Sequence, residues 1–165
     1  MKSPVQFLLL LLVLTSSFCW SENNVYIGGG LTNLQADRAN STNFSIAVGY
    51  DFHRWNLKST KFQALVMSLE AQYSDSISGA DNLKNQSLFV VARAYTSKKF
   101  YFKLKQGYTN FSDISLNDEN AERSHIGLGL GIGYKIGSDD LELEYSYPNK
   151  TLHASSFEIS YKVHF

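Results

Sequence analysis

The chain has 165 residues with 15 basic and 15 acidic side chains, four His, one Cys and two Pro. Zero formal charge without a concentrated Lys/Arg footprint argues against a nucleic-acid partner, which phosphate neutralisation would require. One Cys cannot close an internal disulfide or build a thiolate zinc site. At 44 % hydrophobic, 14 % aromatic and 18 % charged, the chain is neither disordered nor coiled coil.

Residues 1–21 read as a signal peptide. Lys2 precedes the apolar run from Phe7 to Leu14, and Thr15-Ser16-Ser17 follow. An apolar core of about eight residues is too short for a helical span of roughly 20. Cleavage is expected after Ser21, or alternatively after Cys19; the bulky Phe18 argues against lipidation of Cys19. A cut after Ser21 leaves residues 22–165 as one exported domain without Cys.

Beyond this segment the hydropathy period is two, the signature of strands with one apolar face. Residues 24–34 form a first strand softened by Gly28-Gly29-Gly30. In residues 43–54, Phe44, Ile46, Val48, Tyr50 and Phe52 oppose Ser45, Ala47, Gly49, Asp51 and His53. In residues 62–74, Leu65, Met67, Leu69, Ala71 and Tyr73 oppose Ser68, Glu70 and Gln72. Residues 86–97 alternate less cleanly, and Arg93 alone marks the polar face. Residues 99–109 set Phe100, Phe102, Leu104 and Tyr108 against Tyr101, Lys103 and Lys105. In residues 124–136, Ile126 through Ile136 alternate with Gly127, Gly129, Gly131, Gly133 and Lys135. In residues 140–147, Leu141, Leu143, Tyr145 and Tyr147 oppose Asp140, Glu142, Glu144 and Ser146. The last strand sets Phe157, Ile159, Tyr161, Val163 and Phe165 against Glu158, Ser160, Lys162 and His164.

The connections alternate in length. Residues 35–42, 75–85 and 110–123 are long, 55–61 intermediate, 148–152 moderate, and Ser97-Lys98 and Gly137-Ser138-Asp139 tight. An even number of strands of about ten residues, with long loops at one end and short turns at the other, predicts an all-β, eight-stranded antiparallel up-and-down transmembrane β-barrel. The sheet must close, because hydrocarbon offers no partner to an open edge. Its apolar face carries two aromatic girdles: Phe44, Tyr73, Tyr108, Tyr147 and Phe157 at the loop end, and Phe52, Phe100, Tyr134 and Phe165 at the turn end. The inward face collects Asp51, Glu70, Glu142, Glu144 and Glu158 with Arg93, Lys103, Lys105, Lys135 and Lys162. An eight-stranded bore is filled by side chains, so these charges are expected to pair as a structural network. The alternate glycines 127–133 leave room for them.

These features resemble the small eight-stranded outer-membrane barrels of Gram-negative bacteria, the OmpA/OmpX-like and opacity-protein-like, porin-like barrel family. The resemblance covers residues 24–165. Its carriers are Ser68-Leu69-Glu70-Ala71-Gln72-Tyr73, the alternating run Gly127 to Tyr134, Leu141-Glu142-Leu143-Glu144-Tyr145, and the last strand ending in Phe165. Tyr161, Val163 and Phe165 are similar to the sorting signal read by the barrel-assembly machinery. The resemblance implies outer-membrane location, periplasmic chaperones during biogenesis, lipid and lipopolysaccharide as surroundings, and no cofactor. It also implies an anchor whose loops, chiefly 75–85 and 110–123, meet a host or environmental ligand, as in adhesins.

Several other readings were open. A few barrels of this outline are lipid A hydrolases, for which His153, Ser155 or Ser156, and Glu158 would be the candidates. Their pattern places a His-x-Ser pair at the end of the preceding strand, where this chain has Tyr145-Ser146-Tyr147-Pro148-Asn149. A narrow pore is an in-class alternative. His53 and His164, both expected on the lumen face near Asp51, lack a further ligand for a metal. Asp113, Asp118, Glu119 and Glu122 lack EF-hand spacing and read as a solvated loop. A secreted lipocalin-type barrel would need an apolar lining, which the inward charges oppose.

Overall fold

The computed structural model describes residues 24–36, 39–59, 61–79, 84–112, 124–149 and 154–165. The expected signal peptide, the acidic residues Asp113, Asp118, Glu119 and Glu122, and His153 lie outside the described residues.

Eight strands follow one another: β1 Val25–Ala36, β2 Ala39–Asn56, β3 Ala64–Gly79, β4 Lys84–Tyr95, β5 Phe100–Ser112, β6 Ser124–Ile136, β7 Asp139–Asn149 and β8 Ala154–His164. Each pairs antiparallel with its sequence neighbours, and β1 pairs with β8 to close the barrel. Closure runs from Tyr26↔His164 to Gln35↔Ser155, and the Phe165 N–H donates to the Val25 carbonyl at 2.8 Å. The first and last strands therefore begin and end at the short-turn end. The sheet has no free edge, so its backbone polar groups are paired along the whole circumference.

The period of two sorts the side chains as closure requires. Outward positions are apolar and exposed, as in Leu128, Leu130, Leu143, Phe157 and Ile159. Inward positions hold Glu70, Arg93, Lys103, Glu142 and Lys162, each at most 4 % exposed. In β4 the lumen face is the one bearing Phe89, Val91, Arg93 and Tyr95, so Leu88 and Val90 point outward.

Two features depart from the sequence reading. The first is the reach of the strands at the loop end. β1 and β2 pair as far as Gln35↔Asn40 and Ala36↔Ala39, and β3 continues to Gly79. Most of the expected loop 35–42 and the first part of 75–85 are thus ladder. Ser, Thr and Asn dominate these stretches, and where both faces are polar a period of two leaves no mark in hydropathy. The second is a β-bulge in β2. Asp51 pairs with Ser68 and His53 with Met67, so Phe52 stands unopposed and the alternation shifts by one. His53 consequently shares the register of Met67, its ring 3.9 Å from that of Trp55, and meets His164 only across the mouth of the cavity that both line at the turn end. Arg54 takes the inward side, with its guanidinium 5.8 Å from the centroid of the lumen ring Tyr95.

The turns at the other end are compact. Gly137 takes a positive φ of 71° in the two-residue connection to β7, a conformation L side chains rarely adopt. In residues 96–99 the Ser97 hydroxyl accepts the Phe100 N–H at 2.9 Å and the Lys99 N–H at 3.2 Å.

Candidate functional site

The lumen is built in tiers, each from inward positions of several strands. Across the middle lies an ion layer. Lys103 on β5 reaches Glu142 and Glu144 of β7 at 2.8 Å each and Glu70 of β3 at 3.6 Å. Lys162 on β8 lies 2.9 Å from Glu142 and also pairs with Glu70. Arg93 on β4 holds Asp51 at 2.8 Å, approaches Glu142 at 3.5 Å, and stacks over the Tyr26 ring at 4.5 Å. Lys105 pairs with Glu144, donates to the Gln72 amide oxygen at 3.1 Å and lies 4.3 Å over the Phe89 ring. A desolvated charge without such partners would be costly. Here Glu70, Glu142 and Glu144 each face two or more cations, and Asp51 faces Arg93.

Neutral groups complete the layer. The Tyr26 hydroxyl donates to Glu70 at 2.8 Å and the Tyr101 hydroxyl to Glu142 at 2.6 Å. Glu158 accepts from Thr32 at 3.0 Å and from the Gln72 amide at 2.6 Å. Sequence reasoning placed Glu158 among the ions but missed Thr32, Gln72, Tyr26 and Tyr101 as partners. Their parity on the polar face was the available signal, weak because Tyr belongs to either face of a membrane strand.

Cross-strand register explains how these large side chains fit. Tyr26 lies directly opposite Gly49, and Tyr101 opposite Gly133. A Cβ on either glycine would come within 2.0 Å of the facing ring. Lys162 and Lys105 likewise lie opposite Gly28 and Gly129, where an added Cβ would approach their Cγ to 2.7 and 2.8 Å. An aromatic or long chain covering a paired glycine protects the backbone and fills the bore together.

Towards the loop end the lumen becomes neutral. Asn43 donates to Ser74 at 3.0 Å and accepts from Ser41 at 2.6 Å, Ser87 donates to Thr109 at 3.0 Å, and Ser146 and Ser156 share a 2.6 Å bond. Towards the turn end, Ala64, Val66, Tyr95 and Tyr101 form a small apolar cluster. Below it Asp140 is held by His164 at 2.8 Å and Lys135 at 3.6 Å, a pairing the sequence reading assigned to neither Asp140 nor His164. These groups border an open cavity of about 570 Å³ whose lining includes Asp51, His53, Arg54, Tyr95, Lys135 and His164. Among the described residues no group of three or more His, Cys, Asp or Glu side chains could hold a metal ion.

The described members of the hydrolase candidate are not assembled. Ser155 and Glu158 fall on opposite faces of β8, Ser156 is bonded to Ser146, and Glu158 is taken by Thr32 and Gln72. The girdle positions Phe44, Tyr73, Tyr108, Tyr147, Phe157, Phe52, Tyr134 and Phe165 are outward and exposed, and Phe100 is half-buried against Phe102 at 5.6 Å. Of the expected sorting residues, Tyr161 and Phe165 are exposed and Val163 is half-exposed, all on the outer face.

A closed antiparallel barrel with apolar residues outside and ions within is the fold of an integral outer-membrane barrel, the reverse of a lipocalin. Comparison with solved structures agrees. The chain is similar to the outer membrane enzyme PagL, with 12 % identity, a TM-score of 0.63, and coverage of 84 % of this chain and 98 % of that one. It is similar to Neisserial surface protein A, with 15 % identity, a TM-score of 0.60, and coverage of 88 % and 98 %. It is also similar to the N-terminal β-barrel domain of Pseudomonas aeruginosa OprF, with 13 % identity, a TM-score of 0.58, and coverage of 88 % and 100 %. No protein-family model matches the chain, and no curated protein matches it.

Proposed function

We propose that this protein is a structural anchor in the outer membrane, exported through a cleaved signal peptide, whose barrel displays surface connections for adhesion-like contact with a host or environmental ligand. The observation that carries the reading is the ion layer: side chains of five strands meet across the bore and are almost wholly buried, so the barrel is a filled scaffold. Chemistry with the outside then falls to the connections, above all residues 113–123, the longest. Lipid and lipopolysaccharide surround the apolar belt, the girdles lie at its two interfaces, and Tyr161, Val163 and Phe165 address the chain to the assembly machinery after chaperoned transit.

Deletion of residues 112–121 is the test. The shortened protein should still migrate faster unboiled than boiled in detergent electrophoresis, while cells displaying it lose binding to the surfaces that the parent binds. Loss of the migration shift would make the segment structural.

The likeness to the enzyme PagL supports a second reading, a lipid A hydrolase using Ser155 with His153. Its check is the mass of lipid A extracted from cells carrying the protein or its Ser155→Ala form. An acyl chain lost only with the parent would replace the anchor reading.

A further inference from the structure

We propose that the short-turn end is a collar for anionic phospholipid headgroups, formed by Lys58, Lys61, Lys98 and Lys99 beside the exposed rings of Trp55 and Tyr134. The proposal rests on the membrane-barrel reading and names the lipid that this end would select.

Four cations come from two neighbouring connections. Residues 57–63 join β2 to β3, and residues 96–99 join β4 to β5. The backbone ties these segments together: Gln63 N–H donates to the Tyr95 carbonyl at 2.7 Å, and Leu57 N–H to the Gln63 carbonyl at 2.8 Å. A further bond, from Lys135 N–H to the Lys99 carbonyl at 2.7 Å, fixes the second connection beside β6.

None of the four forms an ion pair among the described residues, in contrast to the lumen cations. The nearby acids are already engaged. Asp51 is held by Arg93, Asp140 by His164 and Lys135, and Asp139 accepts the Tyr161 hydroxyl at 2.6 Å. Asp139 keeps its charge at the start of β7, so this end presents four unpaired ammonium groups against that exposed carboxylate.

Height selects a lipid over a soluble anion. The Lys99 ammonium sits 6.0 Å from the centroid of Tyr134, an outward ring. Trp55, Phe52 and Leu57 are 44 %, 50 % and 39 % exposed on the segment that also carries Lys58. Cations one step beyond exposed rings are the arrangement of a membrane interface, where ring bodies enter the acyl boundary and ammonium groups reach phosphates. The bulge at Phe52 contributes by directing both His53 and Trp55 outward.

Trp55 makes the idea measurable, because Trp20 is the only other tryptophan in the sequence. The full chain carrying Trp20→Phe is refolded into phosphatidylcholine vesicles with a minor share of phosphatidylglycerol. Bromine is placed either on the phosphatidylglycerol chains or on an equal number of phosphatidylcholine chains. Brominated phosphatidylglycerol should quench Trp55 about twofold more strongly, reflecting local enrichment. Salt should erase the preference by screening, and inorganic phosphate at the same charge should leave the emission unchanged. The variant K58Q/K61Q/K98Q/K99Q should quench equally with both lipids while keeping its heat-dependent migration shift. Equal quenching in the parent, or a preference that survives high salt, overturns the collar. Absence of quenching by either lipid together with absence of the migration shift would overturn the membrane reading itself.

Discussion

At the scale of single residues the bore is decided by pairs of unequal size. A glycine is needed where the facing side chain must lie flat across the strand. Gly133→Ala would drive a methyl into Tyr101, whose ring is fixed by its bond to Glu142. Overpacking of this kind costs about 1–3 kcal/mol. Gly29→Ala is the contrast, since a Cβ there meets the Phe44 ring at 3.6 Å and the Ser45 carbonyl oxygen at 3.9 Å, both ordinary contacts. Urea unfolding of the two variants in vesicles should lower the midpoint for Gly133→Ala and leave Gly29→Ala near the parent. Charge obeys a similar logic. Glu142 receives Lys103, Lys162 and Arg93, so Glu142→Gln leaves three buried cations short of a partner. Breaking a buried network on one side costs about 3–5 kcal/mol, and the same titration should show a larger loss than for Gly133→Ala.

At the scale of elements, the strand that matters most is β2, eighteen residues long and bulged at Phe52. Deleting Phe52 should restore a regular ladder without turning over any face, because Asp51 already points inward and His53 outward. Deleting Val48 from the regular stretch should reverse every side chain on one side of the cut. The first deletion is expected to keep the migration shift and the second to abolish it. The same strand shows where a sequence stops being legible. Alternation of Phe44, Ile46, Val48 and Tyr50 is printed in hydropathy, and it located this strand as it did β6, β7 and β8. A single inserted residue has no hydropathy of its own, so the side taken by His53 and Arg54 follows only from pairing with Met67 and Val66. The polar ladders beyond Asn43 and Ser74 were hidden for another reason: outside the apolar band neither face has to be greasy. In the lumen, the ions could be read from parity along each strand. Which glycine lies under which ring requires register between strands, which one strand does not contain.

At the scale of the molecule, the tiers turn an open cylinder into a solid one. Arg93, Lys103, Glu70, Glu142 and Lys162 occupy the middle of the bore, with a neutral hydroxyl tier on one side and an apolar cluster on the other. Planar bilayers containing the protein should therefore show no stepwise conductance. Single-channel events of uniform size would require the ion layer to part, and would move the narrow pore ahead of the anchor.

The terminal strand has a consequence for how such a barrel is made. Lys162 completes the surroundings of Glu70 from β3 and Glu142 from β7, while Glu158 finds Thr32 on β1 and Gln72 on β3. Until the eleven residues of β8 are in place, Glu70 and Glu142 each lack one of their cations. A truncated or stalled chain thus has no comfortable resting place in hydrocarbon, and it remains recognisable to whatever handles unfinished proteins. The charges of the bore thus make the last strand a condition for a fully paired interior.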